Sequence, residues 1–240
     1  MIGTVCNAAA ILVGGMAGLV RSKPLSPRTE SFWKITLGVF AVFYGLRITW
    51  TSLHGPPGQM LKQLLTVMIG MSLGKGTGWL LRFQKMSNRL GQSARQRVEA
   101  AAAGDRPGTS EVFKICSSLF CAAPLGIVGA IQEGASNYPY SLLAKALMDG
   151  LGAMGLVRVL GWGVVCASLP VLVLQGTISL TCVVWVAPFL REHGLLNSML
   201  ATSGLMVFSV ALVILDLKKI NLADYLPSLV FAPVISWWWH

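Results

Sequence analysis

The chain has 240 residues, 54% of them hydrophobic and only 12% charged, with 19 Lys and Arg against 9 Asp and Glu. Its mean hydropathy is +0.66, whereas soluble domains carry about 25% charged residues. Together with apolar runs of the ~18 residues or more that cross a ~30 Å hydrocarbon core, this excludes a soluble globular domain and predicts an all-α, polytopic helical membrane protein. The runs are continuous, unlike the short alternating segments of a β-barrel.

Eight spans are predicted, at 2–20, 32–53, 61–81, 113–131, 139–157, 160–186, 196–215 and 220–239. The first has no basic stretch before it and carries Asn7 and a Gly-rich end, so it reads as a retained span and not a signal peptide. Trp33, Trp50, Trp79, Trp185 and the run 237–239 mark span ends, because indole favours the headgroup level. One long polar segment, 82–111, follows the third span. There Phe83, Met86 and Leu90 share one helical face and Arg82, Lys85 and Arg89 the other, a basic amphipathic helix suited to a lipid surface. The stretch AAAAGDRPG at 100–108 reads as a flexible linker.

Basic residues gather in the odd-numbered loops: Arg21, Lys23 and Arg28, then Lys85 through Arg106, then Arg158, then Lys218 and Lys219. The even-numbered loops hold Arg191. The positive-inside rule places the odd loops in the cytoplasm and both termini outside. The excess positive charge therefore faces lipid headgroups, and no aromatic platform for stacking bases accompanies it. The partners expected are the lipid bilayer and a small solute or ion, and no nucleic acid.

The sequence echoes itself. GTVCNAAAILVGGMAGLV from Gly3 and GVVCASLPVLVLQGTISL from Gly163 share Gly, Val, Cys, Leu and Val at corresponding positions. TLGVFAVFYGL in the second span matches TSGLMVFSVAL in the seventh, and LKQLL in the third is echoed by LADYL in the eighth. The organisation predicted is a three-helix repeat at 1–81, a linker at 82–112, a central two-helix unit at 113–157 and a second repeat at 160–240. Five spans separate the starts of the two repeats, so they run in opposite directions, an arrangement common in transporters.

Polar residues within the spans mark the candidate site. Lys145 and Asp149 lie one helical turn apart on one face. A charge at mid-membrane costs at least ~2.5–3.5 kcal/mol, so the pair faces the bundle interior, as a solute-coupling pair or as a structural ion pair. Gln132 and Glu133 end the fourth span. Pro124 can kink that span, and Gly126, Gly129 and Gly134 permit irregular backbone, which would bring Gln132 into a cavity; the other reading is an ordinary polar loop. Gln175 follows Pro170 by five residues in a 27-residue apolar run that reads as a discontinuous helix, with the Asn7 region as its repeat partner; a bond to a neighbouring helix is the alternative. Gln132, Lys145, Asp149 and Gln175 are expected to converge on one polar cavity.

Gly14, Gly15 and Gly18, and Gly70, Gly74, Gly76 and Gly78, carry the spacing of close helix packing and offer faces for a homo-oligomer. GMSLGKGTG fails as a phosphate loop, since Gly70 and Gly74 are too close and Gly76 stands where Ser or Thr is required. The five cysteines form no CxxC pair and read as buried thiols. His54, His193 and His240 fall in loops or at the end, so neither a metal site nor a cofactor is expected. Asp216 and Asp224 sit near span ends, and no His lies in a span, which speaks against intramembrane proteolysis and an enzyme.

The opening MIGTVCNAAAILVGGMAGLV, the middle CAAPLGIVGAIQEGASNYPYSLLAKALMDG, SLPVLVLQGTISL and the end KKINLADYLPSLVFAP together resemble the YqgA/YdfK-like bacterial membrane proteins, a domain of unknown function, DUF554. Glu133 stands where the resemblance would lead one to expect Asp. The resemblance implies a multi-pass protein of the bacterial cytoplasmic membrane, often assumed to be a transporter, with Asn7, Gln132, Glu133, Lys145, Asp149 and Gln175 as its substrate-binding positions.

Overall fold

The computed structural model describes residues 1–20, 26–104 and 107–239; Arg21, Lys23, Arg106 and His240 lie outside the described residues. Those residues form helices without a strand among them: α1 Ile2–Val20, α2 Pro27–Thr51, α3 Pro57–Leu80, α4 Phe83–Ala102, α5 Thr109–Cys121, α6 Pro124–Ser136, α7 Tyr140–Leu160, α8 Gly163–Cys166, α9 Ser168–Thr181, α10 Ala187–Glu192, α11 Leu196–Ile214 and α12 Ser228–Trp238. A π turn, Cys182–Val186, joins α9 to α10, and a 3₁₀ turn, Leu222–Tyr225, precedes α12.

The helices are inside-out by the standards of a soluble protein. On α1 the buried face is Gly3, Thr4, Asn7, Ile11, Gly15 and Gly18, at helical spacing. Its exposed face carries Val5, Leu12, Val13, Met16 and Leu19. Small and polar residues inward with large apolar residues outward is the pattern of a helix solvated by lipid, where close van der Waals packing replaces the hydrophobic effect between helices. Trp50, Trp79, Trp162, Trp185 and Trp238 are all exposed near helix ends. With this surface and these lengths, the chain is a helical membrane protein.

Four helical segments are long and apolar enough to cross a bilayer: α1, α2, the continuous run Gly163–Glu192 and α11. Two bent pairs, α3 with α4 and α5 with α6, each turn by 59° and raise the number to six if each pair is one crossing. The other two predicted spans take a different form. The 139–157 span is α7, which carries Lys145, Asp149 and Arg158. The 220–239 span is broken: the 3₁₀ turn ends at Tyr225, Pro227 stands at the N-cap of α12, and α12 has 11 residues. At 1.5 Å per residue α12 rises about 16 Å, roughly half the hydrocarbon core.

Prolines set the other breaks. The fourth predicted span divides at Ala122–Ala123, and Pro124 opens α6 at a position where its missing N–H is not needed. In the sixth, the interruption falls at Ala167, where Pro170 cannot donate to the Cys166 carbonyl. The run otherwise continues through Gln175 as helix, so Gln175 lies on α9 and not at a break. The stretch at 100–108, expected to be a flexible linker, is helical through Ala102. Alanine has the strongest helix propensity, and Ala94 and Ala101 are buried on the inner face of α4.

Glycine contacts fix how the helices pair. A methyl group at Gly14 would lie 2.1 Å from the Gly150 carbonyl oxygen, and one at Gly18 would lie 2.4 Å from that of Met154, so α1 and α7 run parallel in backbone contact. Gly70, Gly74 and Gly78 meet Ala232, Ser228 and Asp224 in turn, so α3 and α12 run antiparallel. Gly45 meets Gly204 and Phe208, which seats α2 antiparallel against α11. At one end of that pair Lys34 forms a salt bridge with Asp216. The sequence's glycine faces are thus filled within one chain, with Gly76 left facing open space.

Candidate functional site

The polar residues buried between these helices fall into separate groups. Glu133 closes the N-terminus of α1. Its carboxylate accepts the Gly3 amide at 2.5 Å, the Thr4 amide at 3.0 Å and the Thr4 hydroxyl at 2.6 Å. The first amides of a helix have no partner of their own, and a carboxylate there also meets the positive end of the helix dipole. Gln132, one residue earlier and fully buried, forms a second tie. Its Oε1 accepts from the Ser141 hydroxyl of α7, and its Nε2 donates to Ser203 Oγ of α11 at 2.9 Å.

The third group lies where α1, α6, α7 and α9 meet. Lys145 is 2% exposed and forms a salt bridge with Asp149 on its own helix. Asn7 of α1 sits beside the Asp149 carboxylate and donates from Nδ2 to Gln175 Oε1 of α9 at 3.0 Å. Gly126 of α6 floors the group: a methyl group there would meet Lys145 Cε at 2.7 Å and Gln175 Nε2 at 2.9 Å. Two atoms of this chain of contacts, Asn7 Oδ1 and Gln175 Nε2, are buried without a partner. One is an acceptor and the other a donor.

The structure brings Lys145, Asp149 and Gln175 together, joined by Asn7, but as a closely packed group and not around the cavity expected. That group does not include Gln132, whose amide is turned towards Ser141 and Ser203, or Glu133, which is turned to the α1 terminus. The group is packed closed, and two wider openings lie elsewhere. One of about 330 Å³ is lined by Lys62, Gln59, Asn197 and Trp239 among others, and one of about 490 Å³ lies between α4 and α5. Thr4, Ser141 and Ser203 were not singled out from the sequence. Serine and threonine within a helix usually bond their own backbone, and only the tertiary fold brings these against Glu133 and Gln132.

An aromatic cluster covers the α6–α7 turn. Tyr44 of α2 stacks on Tyr140 at 4.1 Å, and the Tyr138 hydroxyl donates to the Tyr44 carbonyl at 2.9 Å. Burial holds the Tyr138 phenol protonated well above its usual range. Among the described residues no group of three or more His, Cys, Asp and Glu is placed to hold a metal ion.

Apolar outward faces around a closed polar centre define a helical membrane protein, and comparison with known sequences narrows this. The family model described as a protein of unknown function, DUF554, matches residues 2–237, and the chain belongs to that family. It is 26% identical over 237 residues to the "Uncharacterized membrane protein YdfK" of Bacillus subtilis (strain 168), covering 98% of this chain and 95% of that protein. It is also 26% identical over 242 residues to the "Uncharacterized protein YqgA" of Escherichia coli (strain K12), covering 100% of this chain and 97% of that one. No solved structure matches.

Proposed function

We propose that this protein is a secondary transporter for a small polar or charged solute in the bacterial cytoplasmic membrane, with its binding site at Asn7, Lys145, Asp149 and Gln175. The observation that carries the proposal is the pair of unpartnered atoms, Asn7 Oδ1 and Gln175 Nε2, beside a buried pair of opposite charges. Buried polar groups are ordinarily satisfied, and an exception calls for an explanation. A solute with a donor and an acceptor would satisfy both atoms. Gln132 and Glu133 belong to the frame that holds this site.

The helix pairings support an eight-crossing, inverted-repeat reading. Exchange α1, α2 and α3 with α9, α11 and α12, and exchange α6 with α7. The parallel pair α1–α7 then becomes the pair α9–α6, whose contacts at Gly126–Gln175 and Gly134–Ser179 also run parallel. The antiparallel pairs α2–α11 and α3–α12 map onto themselves, as does α1 with the α8–α9 run, where Asn7 meets Gln175 of α9 and Gly15 meets Val165 of α8. The site then lies close to the axis that relates the halves, where transporters of this architecture bind their substrates. In this reading the odd-numbered loops are cytoplasmic and both termini outside. A homo-oligomer, if formed, uses a surface other than the filled glycine faces.

A second reading is a passive channel or structural membrane protein. It is favoured by the closed packing around Lys145, 2% exposed and already paired with Asp149. Thermal unfolding of the purified protein with zwitterionic, anionic and cationic solutes, followed by uptake of any stabilising solute into proteoliposomes, separates the two. Saturable uptake abolished by Gln175→Leu is the transporter result. A flux linear in solute concentration, or no response to any of these solutes, favours the second reading.

A further inference from the structure

The larger opening between α4 and α5 stands apart from the proposed transport site. It encloses about 490 Å³ where the bent α5–α6 pair turns away from α4. One wall comes from α4 and is mainly polar, with Asn88, Gln92 and Arg95 beside Leu90; the other is apolar and comes from the end of α5 and the bend, with Leu119, Ala122 and Ala123. A crevice with one mainly polar wall and one apolar wall matches a molecule that is itself divided into a polar head and a hydrocarbon tail.

Charge decides which head. From Arg82 to Ala102 there are five basic residues, Arg82, Lys85, Arg89, Arg95 and Arg97, and one acid, Glu99. Lys85 and Arg89 make no ion pair among the described residues. Arg95 pairs with Glu99 at 3.0 Å, but the two side chains are 82% and 63% exposed. A pair so fully in water is weakly held, and Arg95 can exchange it for an anionic head at little loss. Arg97, paired with Glu111, ties the far end of α4 to the start of α5 and so keeps the crevice walls in register. A zwitterionic head would bring its own cation against this surface, and an anionic head would not.

We propose that the α4–α5 crevice binds an anionic glycerophospholipid, its head on Arg95 with Lys85 and Arg89 nearby and its acyl chains along the Leu119–Ala123 wall. Gly91 makes the proposal testable by shape as well as by charge. It lines the crevice, and a methyl group built on it meets nothing within 4 Å. Gly91→Phe therefore starts from open space and directs its ring into the crevice, and phenylalanine is the better helix former of the two.

Thermal unfolding in a nonionic detergent, titrated with phosphatidylglycerol, phosphatidylcholine or inorganic phosphate, tests it. Native mass spectrometry provides a count of retained lipids. Phosphatidylglycerol should raise the unfolding temperature saturably, while phosphatidylcholine and inorganic phosphate should not. Gly91→Phe, and separately the double variant Arg89→Gln with Arg95→Gln, should each raise the half-saturating phosphatidylglycerol concentration by about tenfold or more while leaving the lipid-free unfolding temperature near that of the parent. An equal response to phosphatidylcholine overturns the proposal. So does an inorganic phosphate response matching that of the lipid, which would make this a phosphate site, or an unchanged titration in both variants.

Discussion

Glu133 and Asn7 are both buried polar residues, yet they are bonded in opposite ways. Glu133 accepts three hydrogen bonds from the first turn of α1, and its neighbour Gln132 uses both ends of its amide on Ser141 and Ser203. Asn7 and Gln175 share one bond and leave an acceptor and a donor empty beside the Lys145–Asp149 pair. In a medium without water, a fully bonded polar group can serve as a tie between helices, while an unbonded one is a loss of stability. The comparison separates residues that hold the fold from residues whose bonds are reserved for something else.

The largest effect expected is at the satisfied end of the comparison. Glu133→Leu strands two backbone amides and the Thr4 hydroxyl, and hydrogen bonds to a charged group contribute about 1.5–3 kcal/mol each. A loss of about 3 kcal/mol or more should appear as a lower unfolding temperature in detergent, with no dependence on added solute. A Glu133→Leu protein as stable as the parent would mean that the α1 terminus is not held there.

Two glycines on α6 sharpen the contrast through sterics. A methyl group at Gly134 would lie 2.3 Å from the Ser179 carbonyl oxygen, which is backbone and cannot move aside. Gly134→Ala should therefore destabilise by about 1–3 kcal/mol. At Gly126 the nearest atoms are the ends of flexible side chains, Lys145 Cε and Gln175 Nε2. Gly126→Ala should leave the unfolding temperature nearer the parent's and weaken solute stabilisation. The reverse ranking would erase the distinction between frame and site.

Two glutamines give the smallest pair of effects. Gln132→Leu leaves Ser141 and Ser203 without their amide partner and should destabilise by about 1–3 kcal/mol. Gln175→Leu strands Asn7 Nδ2 but also removes a donor that was never satisfied, and should destabilise less than Gln132→Leu. Chemical or thermal denaturation of the two variants side by side checks this order.

Much of the frame could be read from the chain. The bounds of α1 follow from an unbroken apolar run, and Pro124 announced the break between α5 and α6. For Gln175 the structure shows the alternative reading, a bond to a neighbouring helix, made with Asn7 of α1. The shape of the 220–239 segment was hidden because hydropathy does not register that Pro227 interrupts an apolar run just before α12. The end of α4 was misread because a run of alanines has the composition of a linker and the propensity of a helix. Glu133 could not be assigned its place from the sequence. Whether a carboxylate lines a cavity or caps a helix depends on which helix end, 130 residues away in sequence, is packed beneath it.

The central claim, that Asn7, Lys145, Asp149 and Gln175 form a solute site, is tested most directly by replacing Lys145 and Asp149 together, as Lys145→Met with Asp149→Leu. A buried ion pair exchanged for apolar residues of similar size is often neutral or stabilising, so the double variant should fold and unfold at a temperature equal to or above that of the parent. The measurement is its solute-dependent unfolding temperature and its uptake in proteoliposomes beside the parent. The account predicts a folded protein from which both solute stabilisation and saturable uptake are gone. A folded double variant that still responds to the same solute and transports it like the parent would contradict the account and leave the pair a structural contact between helices.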